Sequence, residues 1–201
     1  MYLATKRFLD VVLSIIALIF LSPVILVSML CIYIEDKGNP IFKQIRIGEN
    51  GKPFTFYKLR TMRVDAEQTR KSLEDAQCNE SDGPVFKIKD DPRITKTGKF
   101  LRQTSIDELP QLINILKNEM SIVGPRPALP NEVAAYNEYQ YQRLYCKPGL
   151  TCYWQATPNR NDVPFDEWVD MDLRYIKNKC LKEDFRIIFD TFKIVLSLNG
   201  R

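Results

Sequence analysis

The 201-residue sequence contains no histidine. That absence removes Ser-His-Asp and Cys-His nucleophiles and every histidine-bound metal. The five cysteines, Cys31, Cys78, Cys146, Cys152 and Cys180, are odd in number and form no Cys-x-x-Cys pair. Neither a disulfide framework nor a zinc site is indicated, and a reducing cytoplasmic face fits. Gly98-Lys99 lacks both the earlier glycine and the following Ser or Thr of a phosphate loop. Internal repeats, low-complexity tracts and disordered linkers are missing too. Any acid, base or nucleophile must therefore come from Asp, Glu, Lys, Tyr, Ser, Thr or Cys.

Charge is missing from one long stretch. Val11 to Ile34 holds 24 uncharged positions, more than the roughly 18 at which an apolar run reads as a membrane helix. No small-residue cleavage site follows it, so it does not read as a signal peptide; the exit is Glu35-Asp36-Lys37-Gly38. Ser22-Pro23 sits near its middle. Proline removes a backbone hydrogen bond there and predicts a kink, with the Ser22 hydroxyl or a neighbouring segment available to the freed carbonyl. Lys6 and Arg7 precede the run, and Lys37, Lys43, Arg46, Lys52, Lys58 and Arg60 follow it. Basic residues on both flanks favour both ends on the cytoplasmic side, as in a kinked re-entrant helix, with a tilted single-pass helix as the alternative. The expected partition is a membrane segment over residues 1–36 and a cytoplasmic catalytic domain over 37–201.

The composition is 45% hydrophobic and 27% charged, with a formal charge of +4. Seven Lys or Arg lie between Lys37 and Arg63 against only Asp36 and Glu49, which suits anionic headgroups or phosphates, or else a merely solvated rim. Alternating polarity over Pro40 to Ile47 and Pro53 to Met62, around Gly48-Glu49-Asn50-Gly51, predicts a tight β-hairpin. Lys58 and Arg60, two residues apart, would share one face of its second strand and suit a diphosphate. Val64 to Glu80 reads as an exposed helix, Asp90-Asp91-Pro92-Arg93 as a turn, and Lys99 to Gln103 as a short helix. Leu109, Leu112, Ile113 and Leu116 mark an amphipathic helix started by Pro110. Asn131 to Lys147 reads as one helix bearing Tyr136, Tyr139 and Tyr145, and Phe185 to Leu198 as a terminal amphipathic helix, either core or interfacial.

The chemistry concentrates in Ser105-Ile106-Asp107-Glu108-Leu109-Pro110-Gln111-Leu112. An aspartate at a helix start would have a lowered pKa and be ionised. Capping alone is the competing explanation, because Ser105-x-x-Glu108 fits a capping box. Arg102 one turn earlier, and Arg126 in the stiff Pro125-Arg126-Pro127 loop, frame the two acids as for a magnesium-bound phosphate ester.

Several ordered stretches carry a family likeness: Lys6-Arg7-Phe8-Leu9-Asp10, Ser22-Pro23, Tyr57-Lys58-Leu59-Arg60-Thr61-Met62, Asp91-Pro92-Arg93-Ile94-Thr95, Thr104 to Leu112, Ser121 to Pro127, and Asp172-x-x-Tyr175 with Asp184. Together they closely resemble the bacterial monotopic phosphoglycosyl transferases, or sugar transferases, of the small single-domain type. The resemblance implies an α+β, mostly helical fold, with a re-entrant membrane helix, a small β-hairpin and amphipathic interfacial helices around a cytoplasmic-face site at the bacterial inner membrane. It implies transfer of a sugar 1-phosphate from a nucleoside diphosphate sugar, usually UDP-linked, to polyprenyl (undecaprenyl) phosphate, with release of UMP. This would initiate membrane glycoconjugate or polysaccharide synthesis. Asp107 would be the nucleophile that forms a phosphosugar intermediate. Glu108, with Asp107, would hold Mg²⁺. Arg126 would belong to the nucleotide or phosphate site, with Lys58, Arg60 and Arg102 as further phosphate contacts, and Ser22-Pro23 would set the bend.

Expected partners are the donor sugar nucleotide, the polyprenyl phosphate, membrane lipid and downstream glycosyltransferases, without nucleic acid. The oligomeric state stays open, a homodimer included. Cys152 stands where the pattern has glycine, Asn118-Glu119 replaces Gly-Asp, and Pro158-Asn159-Arg160-Asn161 extends the loop after Trp154-Gln155; these leave the sugar open. The rival readings are a membrane-tethered module that binds anionic lipid or nucleic acid without catalysis, and a nucleotide-sugar hydrolase that needs no lipid acceptor.

Overall fold

The computed structural model describes residues 2–66, 68–69, 83–85, 88 and 90–197. Its chain opens with a single helix, α1 (Tyr2–Asp36), that runs through Pro23. Only 11% of its most apolar window is buried, which separates it from the core helix of a soluble protein. Pro23 has no N–H to give the Ile19 carbonyl four residues back. The Ser22 hydroxyl donates to that carbonyl at 3.0 Å instead, as the Ser-Pro pair predicts.

A hairpin follows. Strands β1 (Ile41–Ile47) and β2 (Pro53–Leu59) pair antiparallel, from Ile41 opposite Leu59 to Ile47 opposite Pro53. The Asn-Gly signal was right about the turn but not its tightness. Residues 48–52 form a wider loop in which Asn50 and Gly51 take the left-handed φ values 57° and 77°. The two faces of β2 bury different partners. Phe54 and Phe56 pack with Leu112, Ile115 and Met120, whereas Leu59 packs with Ile32 of α1 and Leu101.

The exposed helix expected over Val64 to Glu80 lies largely outside the described residues. The Asp91 turn is closed by Arg93, whose backbone N–H and guanidinium both donate to the Asp91 carboxylate. Helix α2 (Lys96–Gln103) then starts at Thr95, whose hydroxyl accepts from Gly98 N–H at 2.9 Å. After a short 3₁₀ turn (Ile106–Glu108) comes α3 (Gln111–Leu116).

Two expectations here need correction. The α3 face turned inward carries Gln111, Leu112, Asn114 and Ile115, and Ile113 is exposed, because two polar residues take core positions, Asn114 among them to bond the hairpin backbone. The single helix expected over Asn131 to Lys147 is broken into α4 (Pro130–Ala134), α5 (Glu138–Tyr141) and a 3₁₀ turn (Gln142–Tyr145). Asn137 causes the break: its side chain accepts from Gln140 N–H while the Gln140 side chain accepts from Asn137 N–H, a capping box that restarts the chain.

A short parallel pair, β3 (Ser121–Val123) with β4 (Gly149–Thr151), and helices α6 (Phe165–Asn178) and α7 (Leu181–Leu196) complete the body. Inside it, Val123, Cys146, Tyr175 and Ile187 make one core, and Cys152, Trp154, Phe165, Trp168 and Val169 another. The outer face of α7 leaves Phe185, Phe189, Phe192 and Leu196 exposed. The architecture is mostly helical with a small antiparallel hairpin, an α+β arrangement.

Both ends of α1 are bonded to the same body. Near its start, Lys6 pairs with Asp184 of α7 at 2.9 Å, and Asp10 accepts from Ile122 N–H of β3. Near its end, Glu35 accepts from the first backbone amides of α2.

Candidate active site

The 3₁₀ turn bearing Asp107 and Glu108 is set sharply against α2 by Ser105, whose φ of 55° is left-handed. A non-glycine residue there stores about 1 kcal/mol or more of strain, of the kind often kept at functional sites. The Ser105 hydroxyl makes no cap, so the capping box that the sequence suggests does not form.

Asp107 is 6% exposed. Among the described residues no hydrogen bond reaches its carboxylate, although buried polar groups are nearly always satisfied. Burial, followed by the neighbouring Glu108 charge, pushes its pKa up to about 6; Lys58, Arg102 and Arg126 pull the other way. This reverses the lowering expected from a helix start, because Asp107 lies in a separate turn ahead of α3 and is desolvated. At pH 7 a group of pKa about 6 is still roughly nine-tenths ionised.

Glu108 is held on both oxygens. Arg126 Nη1 reaches one at 3.3 Å, and Gln155 Nε2 donates to the other at 2.9 Å. Arg126 also lies over the Trp154 ring, 5.8 Å from its centroid, and Arg160 is 5.2 Å from the same ring. Trp154 stacks on Trp168 at 4.4 Å. Trp154, backed by Trp168, is thus a rigid wall carrying two guanidiniums.

Lys58 and Arg102 supply charge from the other side. Lys58 is on β2, and burial, then the Arg102 charge, drops its pKa to about 8 against the pull of Asp107. The hairpin is tied to α3 by Asn114, whose amide donates to Thr55 O at 2.6 Å and accepts from Tyr57 N–H at 3.1 Å. That side chain acts as a short extra strand beside Lys58. Arg102 is aimed by Thr61, whose hydroxyl accepts from its Nε at 2.9 Å.

Asp107, Glu108, Lys58, Arg102 and Arg126 are therefore gathered in one electrostatic group, in which Arg126, Lys58 and Arg102 all act on Asp107. Arg60 is engaged elsewhere: it follows the end of β2, and its guanidinium faces Asp36 of α1 at 3.7 Å. The strand does not extend to Met62, so the shared face expected for Lys58 and Arg60 is lost. Ser22 and Pro23 lie within α1.

Spacing alone assigns no role to two further residues, Gln155, which fixes Glu108, and Arg160, which lies over Trp154. The signal for both was their place after Trp154.

Among the described residues no cluster of three or more His, Cys, Asp or Glu could hold a metal. The Asp107 and Glu108 pair nonetheless fits a hard cation that takes one or two carboxylates together with substrate phosphates. The donors are all oxygen, and the Asp107 oxygens are free of hydrogen bonds among the described residues.

The profile of the bacterial sugar transferase family matches residues 1–198. The galactosyl transferase CpsE of Streptococcus agalactiae is 47% identical over 99% of this chain and 44% of its own length. The undecaprenyl-phosphate galactose phosphotransferase of Salmonella typhimurium is 42% identical over 97% of this chain and 41% of its own. The exopolysaccharide production protein ExoY of Sinorhizobium fredii is 39% identical, over 98% of this chain and 87% of its own length. The chain thus spans less than half of the first two relatives and most of the third. With the matching profile across nearly all of its length and relatives at these identities, this chain belongs to the bacterial sugar transferase family.

Proposed function

We propose that the protein is a phosphoglycosyl transferase that moves a sugar 1-phosphate from a nucleoside diphosphate sugar, a UDP-sugar, to undecaprenyl phosphate and releases UMP. The observation that carries this reading is the buried Asp107 carboxylate, free of hydrogen bonds among the described residues and faced by Lys58, Arg102 and Arg126. Such a group is poised as a nucleophile toward an anion that those cations hold.

In the proposed reaction an Asp107 oxygen attacks the sugar-bearing phosphorus. The new P–O bond forms as the bond from that phosphorus to the bridging oxygen breaks, and UMP leaves with the bonding electrons. An oxygen of undecaprenyl phosphate then attacks the same phosphorus and expels the Asp107 carboxylate, giving undecaprenyl diphosphate-sugar. Both nucleophiles are anions near neutral pH, so neither step needs a histidine base. Repulsion between anions is the main barrier, which Arg126, Arg102 and Lys58 reduce. Asp107 and Glu108 would hold Mg²⁺, which would supply further charge neutralisation at the substrate phosphates. Gln155 and Arg126 keep Glu108 oriented for that role.

The relatives' names support this class of substrate, since one is a UDP-galactose-lipid carrier transferase and another an undecaprenyl-phosphate galactose phosphotransferase. The proposed setting is the cytoplasmic face of the bacterial inner membrane, with residues 1–36 as a re-entrant segment bent at Pro23 and residues 37–201 as the catalytic domain. Bonding of both ends of α1 to one body supports this topology. Nanodisc-held protein given Mg²⁺, UDP-sugars and undecaprenyl phosphate should release UMP only when acceptor is present, and Asp107→Asn should release none. Equal turnover without acceptor would mean hydrolysis instead.

A further inference from the structure

Helix α1 does more than offer an apolar surface. Its two ends hold the two helices that flank the Asp107 turn, each by a helix terminus. Glu35 Oε1 accepts from Lys96 N–H at 2.9 Å, and Oε2 from Thr97 N–H at 3.0 Å. With Thr95 taking Gly98 N–H, three of the orphan donors at the start of α2 are satisfied, two of them by a residue 61 and 62 positions away in sequence. At the other end, Arg7 donates to Ile115 O at 2.6 Å and Leu116 O at 3.0 Å. These are the last carbonyls of α3, where a cation is also favoured by the helix dipole.

The turn of Ile106–Glu108 lies between α2 and α3. It is closed by single backbone bonds, Glu108 N–H to Ser105 O and Leu109 N–H to Ile106 O, each 3.2 Å. Arg102 of α2 acts by its charge on Asp107, and α3 carries Asn114, which fixes the strand of Lys58. The spacing of α2 from α3 therefore fixes the spacing of nucleophile and cations. The two contacts are joined through the run of α1 between Arg7 and Glu35, about 40 Å measured along the helix at 1.5 Å per residue.

We propose that Glu35 and Arg7 are positioning residues for the transfer reaction, and that α1 is a clamp setting the geometry of the Asp107 turn through the start of α2 and the end of α3. This rests on the reading of Asp107 as the reacting group. The residues touch no reacting atom; they act through Arg102, Asn114 and the turn between them.

The test uses the full chain in nanodiscs as wild type, Glu35→Gln, Arg7→Gln, and Lys193→Gln as a control at an exposed ion pair of α7. Hydrogen–deuterium exchange is followed over residues 104–109, with kcat and KM for the donor. A clamp predicts about tenfold faster exchange at the Glu108 and Leu109 amides in both variants and none in the control. It also predicts a kcat about ten times lower with donor KM within about twofold, since misplaced reacting groups cost rate more than binding. Loosening confined to Lys96 and Thr97 in one variant and the end of α3 in the other would overturn it. So would an unchanged kcat in an active preparation. The exchange readout needs no turnover, so inactivity of the wild type would defeat the transferase reading while the clamp is still decided by the 104–109 amides.

Discussion

Asp107 and Glu108 are consecutive carboxylates in opposite circumstances: Glu108 is bonded on both oxygens by Arg126 and Gln155, and Asp107 accepts no hydrogen bond among the described residues. One is held and the other is free to react. The free one carries the raised pKa, about 6.

Its pH behaviour follows from that shift. A carboxyl raised from its ordinary 3.8 to about 6 binds more protons in the folded state between those values, so stability falls as pH rises through this window, and the penalty is complete above about 6. Asp107→Asn removes the penalty and should stabilise the protein by about 3 kcal/mol at pH 8, with the gain vanishing below about pH 4. Thermal melts at the two pH values check this. Transfer by the wild type should fall about tenfold per pH unit below 6, where the nucleophile is protonated.

Gln155→Leu keeps the bulk and removes the donor to Glu108. If Glu108 helps to hold Mg²⁺, the Mg²⁺ concentration for half-maximal rate should rise about 10- to 100-fold, the usual cost of losing such a supporting bond. A magnesium titration of rate measures it, and an unchanged midpoint would count against that role for Glu108.

Gly98 permits α2 to approach the end of the hairpin. A Cβ added there would stand 2.0 Å from the Thr61 carbonyl oxygen, which is backbone and cannot swing aside. Gly98→Ala should therefore destabilise by about 1–3 kcal/mol and misplace Arg102, whose guanidinium is aimed by the same Thr61. A lower melting temperature together with lost activity is the expected result.

Much of this arrangement was legible in the sequence where chemistry is local. Asn50-Gly51 marked the hairpin turn, and Ser22 was in reach of the carbonyl that Pro23 orphans; the short helix expected over Lys99 to Gln103 begins three residues earlier, at Lys96, where Thr95 caps it. Long-range partners overrode local signals elsewhere. Ser105 fits a capping box by spacing, yet its left-handed backbone turns the chain before any cap can form. Helix α6 was not anticipated because a core position on its inner face is Asp172, an acid buried against Arg143 at 2.8 Å, which breaks up the apolar stripe. The same holds for α3, where buried Asn114 serves the hairpin and Ile113 is left outside. The acids and cations of the site were visible individually; that Arg60 turns to Asp36 while Arg160 joins Trp154 depends on packing that no spacing rule encodes.

The covalent role of Asp107 is tested most directly by the intact mass of nanodisc-held protein incubated with Mg²⁺ and its UDP-sugar in the absence of lipid acceptor. The account predicts an adduct of one sugar phosphate, mapped to the Ser105–Leu109 peptide, with a matching burst of UMP. The adduct should disappear when undecaprenyl phosphate is added and never form in Asp107→Asn. Acceptor-dependent UMP release without any adduct, or an adduct that persists in Asp107→Asn, would contradict it.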